Sequence, residues 1–177
     1  MIAAMKRTSL GFTLAELMVA LTIVGILTAL ATPSFREYTR NTRVTTTQND
    51  LVTALNLARS ESLRRSRPVS VCASEDGQTC TTQDKWASGW AAFTAANPAG
   101  SGDFNAGDDR LLQKWDAPGG GVLVTGDQPS VEFQPTGMAT ATILLTVQSP
   151  SCRGDGKRSL QVTATGGLFA KKTACDA

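Results

Sequence analysis

Phe12 to Ala31 reads FTLAELMVALTIVGILTALA, an apolar run holding a single charge, Glu16. As a helix rising 1.5 Å per residue it is roughly 30 Å long, enough to cross the hydrocarbon layer of a bilayer. Lys6 and Arg7 precede it, which suits a segment whose N-terminal side faces the cytoplasm. A secretory signal is one reading, with Ala29-Leu30-Ala31 as an A-x-A-like cleavage site. Its apolar core is ordinarily about 7–15 residues, however, and this run is longer. A plain membrane anchor fits the length. It gives no reason for Glu16, because a carboxylate in hydrocarbon is costly and usually functional.

A third reading accounts for the acid. Gly11-Phe12-Thr13-Leu14-Ala15-Glu16, after Lys6-Arg7 and before the long run, resembles the class III signal of type IV pilins and type II secretion pseudopilins. The resemblance implies a leader, residues 1–11, removed by a prepilin peptidase between Gly11 and Phe12. Phe12 then becomes the N-methylated N-terminus. Glu16 falls at the fifth mature position, where the family's acid is thought to pair with the N-terminal amine of a neighbouring subunit. Such a pair supplies the partner that a buried carboxylate needs. Pro33 stands where pilins commonly carry a helix-kinking proline. The implied organisation is a transmembrane and filament-core helix at 12–33, an amphipathic continuation at 34–67 and a β-rich globular domain at 68–177. The implied location is the inner membrane, crossed once, with the globular domain periplasmic, and then the assembled pilus or pseudopilus. Implied partners are the peptidase, other pilins or pseudopilins, an inner-membrane assembly platform and the inner membrane itself.

Beyond Pro33 the sequence stays compatible with helix to Arg67, and Pro68 ends it. Val44, Leu51, Leu55, Ala58 and Ser62 form one narrow face at helical spacing, widened by Leu63. Arg36, Glu37, Arg40, Arg43, Gln48, Asn49 and Asp50 are polar flanks. Arg64, Arg65 and Arg67 crowd the last turn, where cations complement the helix dipole. A partner or nucleic-acid surface is the competing use of those arginines.

From Pro68 onward the chain reads as short strands: 68–72, 89–93, 111–115, 121–124, 130–133, 141–147 and 159–165, separated by Gly, Pro, Asn and Asp clusters. Strands so spaced imply antiparallel sheet. With the helix covering one face, the fold class is α+β. Trp86-x-x-Gly89-Trp90-x-x-Phe93, followed by an Asn/Asp/Gly-rich stretch, resembles the signature of the GspH/FimT/FimU group of minor pilins. Val131-Glu132-Phe133-Gln134-Pro135-Thr136-Gly137 is similar to that group too. The pilin-like fold is thus expected, a long N-terminal helix packed on antiparallel sheet. On physical grounds alone Trp86, Trp90 and Phe93 are core or sheet-packing aromatics.

The chain of 177 residues holds four cysteines and no histidine. Imidazole bases and His-ligated metals are therefore excluded. Residues 97–109 are rich in acids but miss the spacing of a calcium loop, so a turn-rich loop and no metal are expected. No acid–base constellation, nucleotide motif or cofactor motif is apparent, so no enzyme activity and no cofactor are assigned. Cys72, Cys80, Cys152 and Cys175 show no C-x-x-C spacing. In an oxidising compartment they form disulfides, with three connectivities open. The expected pairs are Cys72–Cys80, pinning the loop that leaves the first strand, and Cys152–Cys175, stapling the last strand to the chain end.

Charge is segregated. Residues 34–67 carry seven Lys/Arg and three Asp/Glu, 68–149 three and nine, and 150–177 five and two. Arg153, Lys157, Arg158, Lys171 and Lys172 are candidate contacts to phosphate. They support an alternative function, DNA capture for natural transformation, because FimT members resemble competence proteins with a glycine-arginine-x-arginine motif. Here Gly166 takes the glycine position, while Gly167 and Phe169 stand at the two arginine positions. Arg153-Gly154-Asp155 is read as a turn.

Overall fold

A computed structural model describes residues 12–81, 83–94, 110–154 and 156–175, the side chains of 30–34, 36, 83 and 84 excepted. The whole 97–109 stretch, expected as a turn-rich loop, therefore lies outside the described residues, as does Gly11. The chain forms two compact units, Met1–Thr39 and Arg40–Ala177.

One helix, α1 (Leu14–Arg65), belongs to both units and does not break at Pro33 or Ser34. It stops two residues before the expected Arg67. Ser66 adopts a left-handed conformation at φ 51°. The Arg67 N–H then donates to Ser62 C=O at 3.3 Å, satisfying a carbonyl that the helix end would leave open. Glu61 holds Arg64 and Arg65 at 2.6 and 2.5 Å in the same turn.

In the second unit eight strands follow: β1 (Val69–Ala73), β2 (Gly89–Thr94), β3 (Arg110–Asp116), β4 (Leu123–Gly126), β5 (Ser130–Phe133), β6 (Ile143–Gln148), β7 (Lys157–Val162) and β8 (Leu168–Thr173). They divide into two antiparallel four-stranded sheets, ordered β3-β2-β1-β5 and β4-β6-β7-β8. The sequence did not separate these sheets. It also extended β7 to Thr165 and left out β8. Thr163 to Gly167 is instead the turn between them, closed by Thr163 N–H to Gly167 C=O at 2.9 Å.

One core joins helix and sheets. Val44, Leu51, Ala54, Leu55 and Ala58 of α1 meet Val69, Val71, Trp90 and Ala92 of the first sheet and Val124, Ile143, Leu145, Val147, Leu160 and Val162 of the second. The helix face is therefore the expected one, with two corrections. Leu63 is half exposed, and Gln48 is buried rather than flanking. Both follow from register: Gln48 lies between Val44 and Leu51 on the inward side, while Leu63 falls off its edge.

Candidate functional site: an exposed apolar stem and its acid

Helix α1 opens with a reciprocal cap. Glu16 N–H donates to Thr13 Oγ1 at 3.2 Å, and Thr13 N–H and Oγ1–H both donate to Glu16 Oε2 at 3.2 Å. This is the capping-box arrangement, Thr at the cap and Glu three residues on. Glu16 therefore has a local task in its own chain. Sequence reasoning missed that, although Thr13-x-x-Glu16 is its signature.

Past the cap, the helix is apolar on all sides. Phe12, Leu14, Leu17, Met18, Val19, Leu21, Ile23, Val24, Ile26 and Leu27 all have more than half their surface exposed. A helix apolar all round is stable only when buried by protein or lipid. The threonines within it hide their hydroxyls. Thr22 Oγ1–H donates to Met18 C=O at 2.7 Å and Thr28 Oγ1–H to Val24 C=O at 2.9 Å. That removes the desolvation cost they would carry in an apolar medium. Among the described residues no helix is long and apolar enough to cross a membrane. Described side chains of the apolar run end at Ala29.

The aromatic signature lies in the core. Trp86, on the 3-10 turn Gln83–Ser88, is fully buried. Its Nε1–H donates to Gln128 C=O at 3.0 Å. A Cβ on Gly126 would stand 2.7 Å from that nitrogen, so the glycine in β4 admits the indole. Trp86 thereby ties the turn before β2 to the neighbouring sheet. Trp90 and Phe93 are buried on opposite faces of β2. Gly89 between the tryptophans has φ 116°, and a Cβ there would meet Trp115 C=O at 2.6 Å and Ser74 C=O at 3.0 Å. The glycine of the signature is a backbone requirement.

Disulfides join Cys72 to Cys80 and Cys152 to Cys175. Within the first loop, Asp76 Oδ1 accepts from Gln78 N–H at 2.8 Å and Thr79 N–H at 2.9 Å. Those bonds hold its carboxyl at about 2, below the ordinary range. On the back of the first sheet, Glu132 lies opposite Ser70. Burial raises its carboxyl above the ordinary value, and the Ser70 hydrogen bond opposes that.

The basic residues of the tail do not form one surface. Lys157, Ser159 and Gln161 alternate with Arg158, Leu160 and Val162 along β7, and Arg158 pairs with Lys172 while Ser159 pairs with Lys171. Lys157 and Lys171 thus occupy one sheet face, Arg158 and Lys172 the other. Arg153 is exposed on the preceding loop. Gly166 has φ 78° in the β7–β8 turn, and Phe169 is exposed on β8. Among the described residues no group of acids and cysteines could hold a metal ion.

Residues 47–166 match the family model of the type II transport protein GspH, which is most of the globular unit. The chain belongs to the GspH family. Residues 6–32 match the prokaryotic N-terminal methylation motif. Two fimbrial proteins of Pseudomonas aeruginosa are each 38% identical over 68 residues, covering 38% of this chain and 44% of theirs. The match thus spans less than half the length of these curated relatives. The fold is that of the type IV minor pilin FimU of P. aeruginosa. One crystal form superposes with TM-score 0.57 at 16% identity, covering 76% of this chain and 92% of that one. A second gives 0.52 at 17%, covering 72% and 91%. The family is one of pilin-type structural proteins, and the fold of this chain is the pilin fold.

Proposed function

We propose that this chain is a non-enzymatic structural and assembly subunit, a minor pilin of a type IV pilus or a pseudopilin of a type II secretion system. One observation carries the reading: an apolar helix exposed on all sides, opened by a single acid, inside the segment that matches the methylation motif. A prepilin peptidase cuts between Gly11 and Phe12, and Phe12 is methylated. The 12–33 segment anchors the protein in the inner membrane, with 68–177 in the periplasm, until the assembly platform draws it into a filament among other pilins.

Glu16 then has two tasks. Its Oε2 caps its own helix, and Oε1 receives the N-terminal ammonium of a neighbouring subunit. That pair fixes the axial register between stems packed through apolar surface. Replacing Glu16 by Ala is expected to leave the protein in the membrane fraction and to abolish its recovery with sheared filaments. Glu16→Gln keeps the cap and loses the ion pair, so it is expected to behave as Glu16→Ala. Normal recovery of Glu16→Gln would reduce Glu16 to a cap alone.

A further inference from the structure

Cations collect where the chain enters the globular unit. Arg40 and Arg43 are exposed on the first turn of α1 within that unit. Arg40 Nη1–H donates to Ser151 Oγ at 2.8 Å. Ser151 precedes Cys152 and Arg153 in a loop tied to the end of β8 by the Cys152–Cys175 disulfide and by Cys175 N–H to Gly154 C=O at 2.8 Å. Gly156, in the same loop, faces α1: a Cβ there would lie 3.6 Å from Asn41 Oδ1. Two residues on, Arg158 pairs across the sheet with Lys172. Arg43 packs over Gly120, and a Cβ on Gly121 would stand 3.2 Å from Pro150 Cγ. Contacts therefore run from Arg43 through the 119–121 turn and Pro150 to Ser151 and Arg40. Among the described residues no carboxylate forms an ion pair with Arg40, Arg43, Arg153 or Lys172; Glu61 pairs with Arg64 and Arg65, and Asp116 with Lys114.

These charges run against a general bias. Lys and Arg beside an apolar span concentrate on the side that is not translocated. Here Lys6 and Arg7 precede the run, while Arg36, Arg40 and Arg43 follow it. Ser151 and the glycine turn explain how the arginines are held. They do not explain why the positions are charged.

We propose that this basic collar rests on the phosphates of anionic phospholipids beside the stem while the subunit waits in the bilayer. The inference rests on the membrane reading above. Arg40 follows Ala31 by only nine residues, which keeps headgroups within its reach by chain length alone. Guanidinium forks match phosphate oxygens. Attraction to a charged lipid surface decays within a Debye length, about 10 Å at 0.1 M salt, so only cations at this end are expected to profit. The collar takes Arg153 and Lys172 from the tail and leaves Lys171 on the far sheet face, which disfavours one continuous nucleic-acid track.

The test uses the full chain reconstituted into vesicles of phosphatidylcholine alone, or with phosphatidylglycerol added to about 30%. Flotation reports insertion, and hydrogen exchange reports the loop amides of residues 151–154 and 156. The chain is expected to float with both vesicles. Exchange in the loop is expected to slow at least about fivefold on anionic vesicles only. The slowing is expected to vanish at about 0.5 M salt, and in the combined variant R40Q/R43Q/R153Q/K172Q. Equal exchange on the two vesicles overturns the collar, as does undiminished slowing in a folded variant. So does slowing by short duplex DNA without any by anionic vesicles. Should the variant misfold, the wild-type comparison of vesicles and salt still decides. Failure to float with neutral vesicles removes the membrane reading itself, and the collar with it.

Discussion

Within α1, Leu14–Ala29 exposes nearly every apolar side chain, whereas Arg40–Arg65 buries a narrow row of them. Leu21 is 62% exposed and Leu51 is 0% exposed, though both sit in the middle of regular helix. Helix propensity cannot tell them apart. What differs is where the partner surface lies: Leu51 finds it in its own sheets, whereas Leu21 is left exposed among the described residues. Stability of the globular unit should therefore depend on one half of the helix and be indifferent to the other.

The largest effect tests that directly. Leu51→Ala or Leu55→Ala is expected to cost about 2–5 kcal/mol by transfer and cavity terms. Leu21→Ala is expected to change the free energy of urea unfolding of the detergent-solubilised chain by less than about 0.5 kcal/mol. Equal losses would mean that the stem packs on something of its own. Next come the disulfides, which staple only the globular half. Replacing both Cys152 and Cys175 by Ser opens a closure of sequence separation 23 and is expected to cost about 3 kcal/mol, slightly more than opening Cys72–Cys80 at separation 8. Cys72 is buried in β1 while Cys152 and Cys175 are half-buried, so a mild reductant followed by alkylation and mass mapping should label Cys152 and Cys175 first.

Two glycines sharpen the contrast further. Gly89→Ala forces a side chain into positive φ and against two carbonyls, and is expected to lower stability by about 1–3 kcal/mol in the same urea assay. Gly25→Ala has nothing within 4 Å to meet, and should be neutral for the globular unit.

The smallest effects are electrostatic. Hydrogen bonds from Arg64 and Arg65 hold Glu61 at about 2, and Asp76 lies at about 2 for the backbone reason given above. Carboxyls depressed by folding stabilise above their ordinary values of 4.5 and 3.8 and lose that contribution as pH falls toward 2. Urea midpoints should therefore drop between pH 5 and pH 2, and less so in Glu61→Gln or Asp76→Asn. Glu132 has the opposite sign. Its carboxyl is raised by burial, so ionisation costs stability as pH rises, and Glu132→Gln should raise the midpoint at pH 7.

Much of this is legible in the sequence alone. The spacing Val44, Leu51, Leu55, Ala58, Ser62 located the buried face because a helix packed on a core obeys a strict period. Strands β1 to β6 stood out through β-branched or aromatic runs between Gly and Pro. Strand β8, LFAKKT, did not, since it is an edge strand with Phe169, Ala170, Lys171 and Lys172 facing solvent and lacks β-branched residues before Thr173. The division into two sheets was hidden because alternation marks a face, not the sheet it belongs to. The basic tail read as one patch in sequence. Strand alternation distributes it over two faces, and loop closure by Cys152–Cys175 carries part of it to Arg40.

Mass spectrometry of the mature protein's N-terminus bears most directly on the central claim, that the stem is made available by cleavage ahead of it. A chain beginning with Phe12 and carrying one added methyl group is the predicted result. A chain beginning at Thr32, as cleavage after Ala31 would leave, would contradict the account.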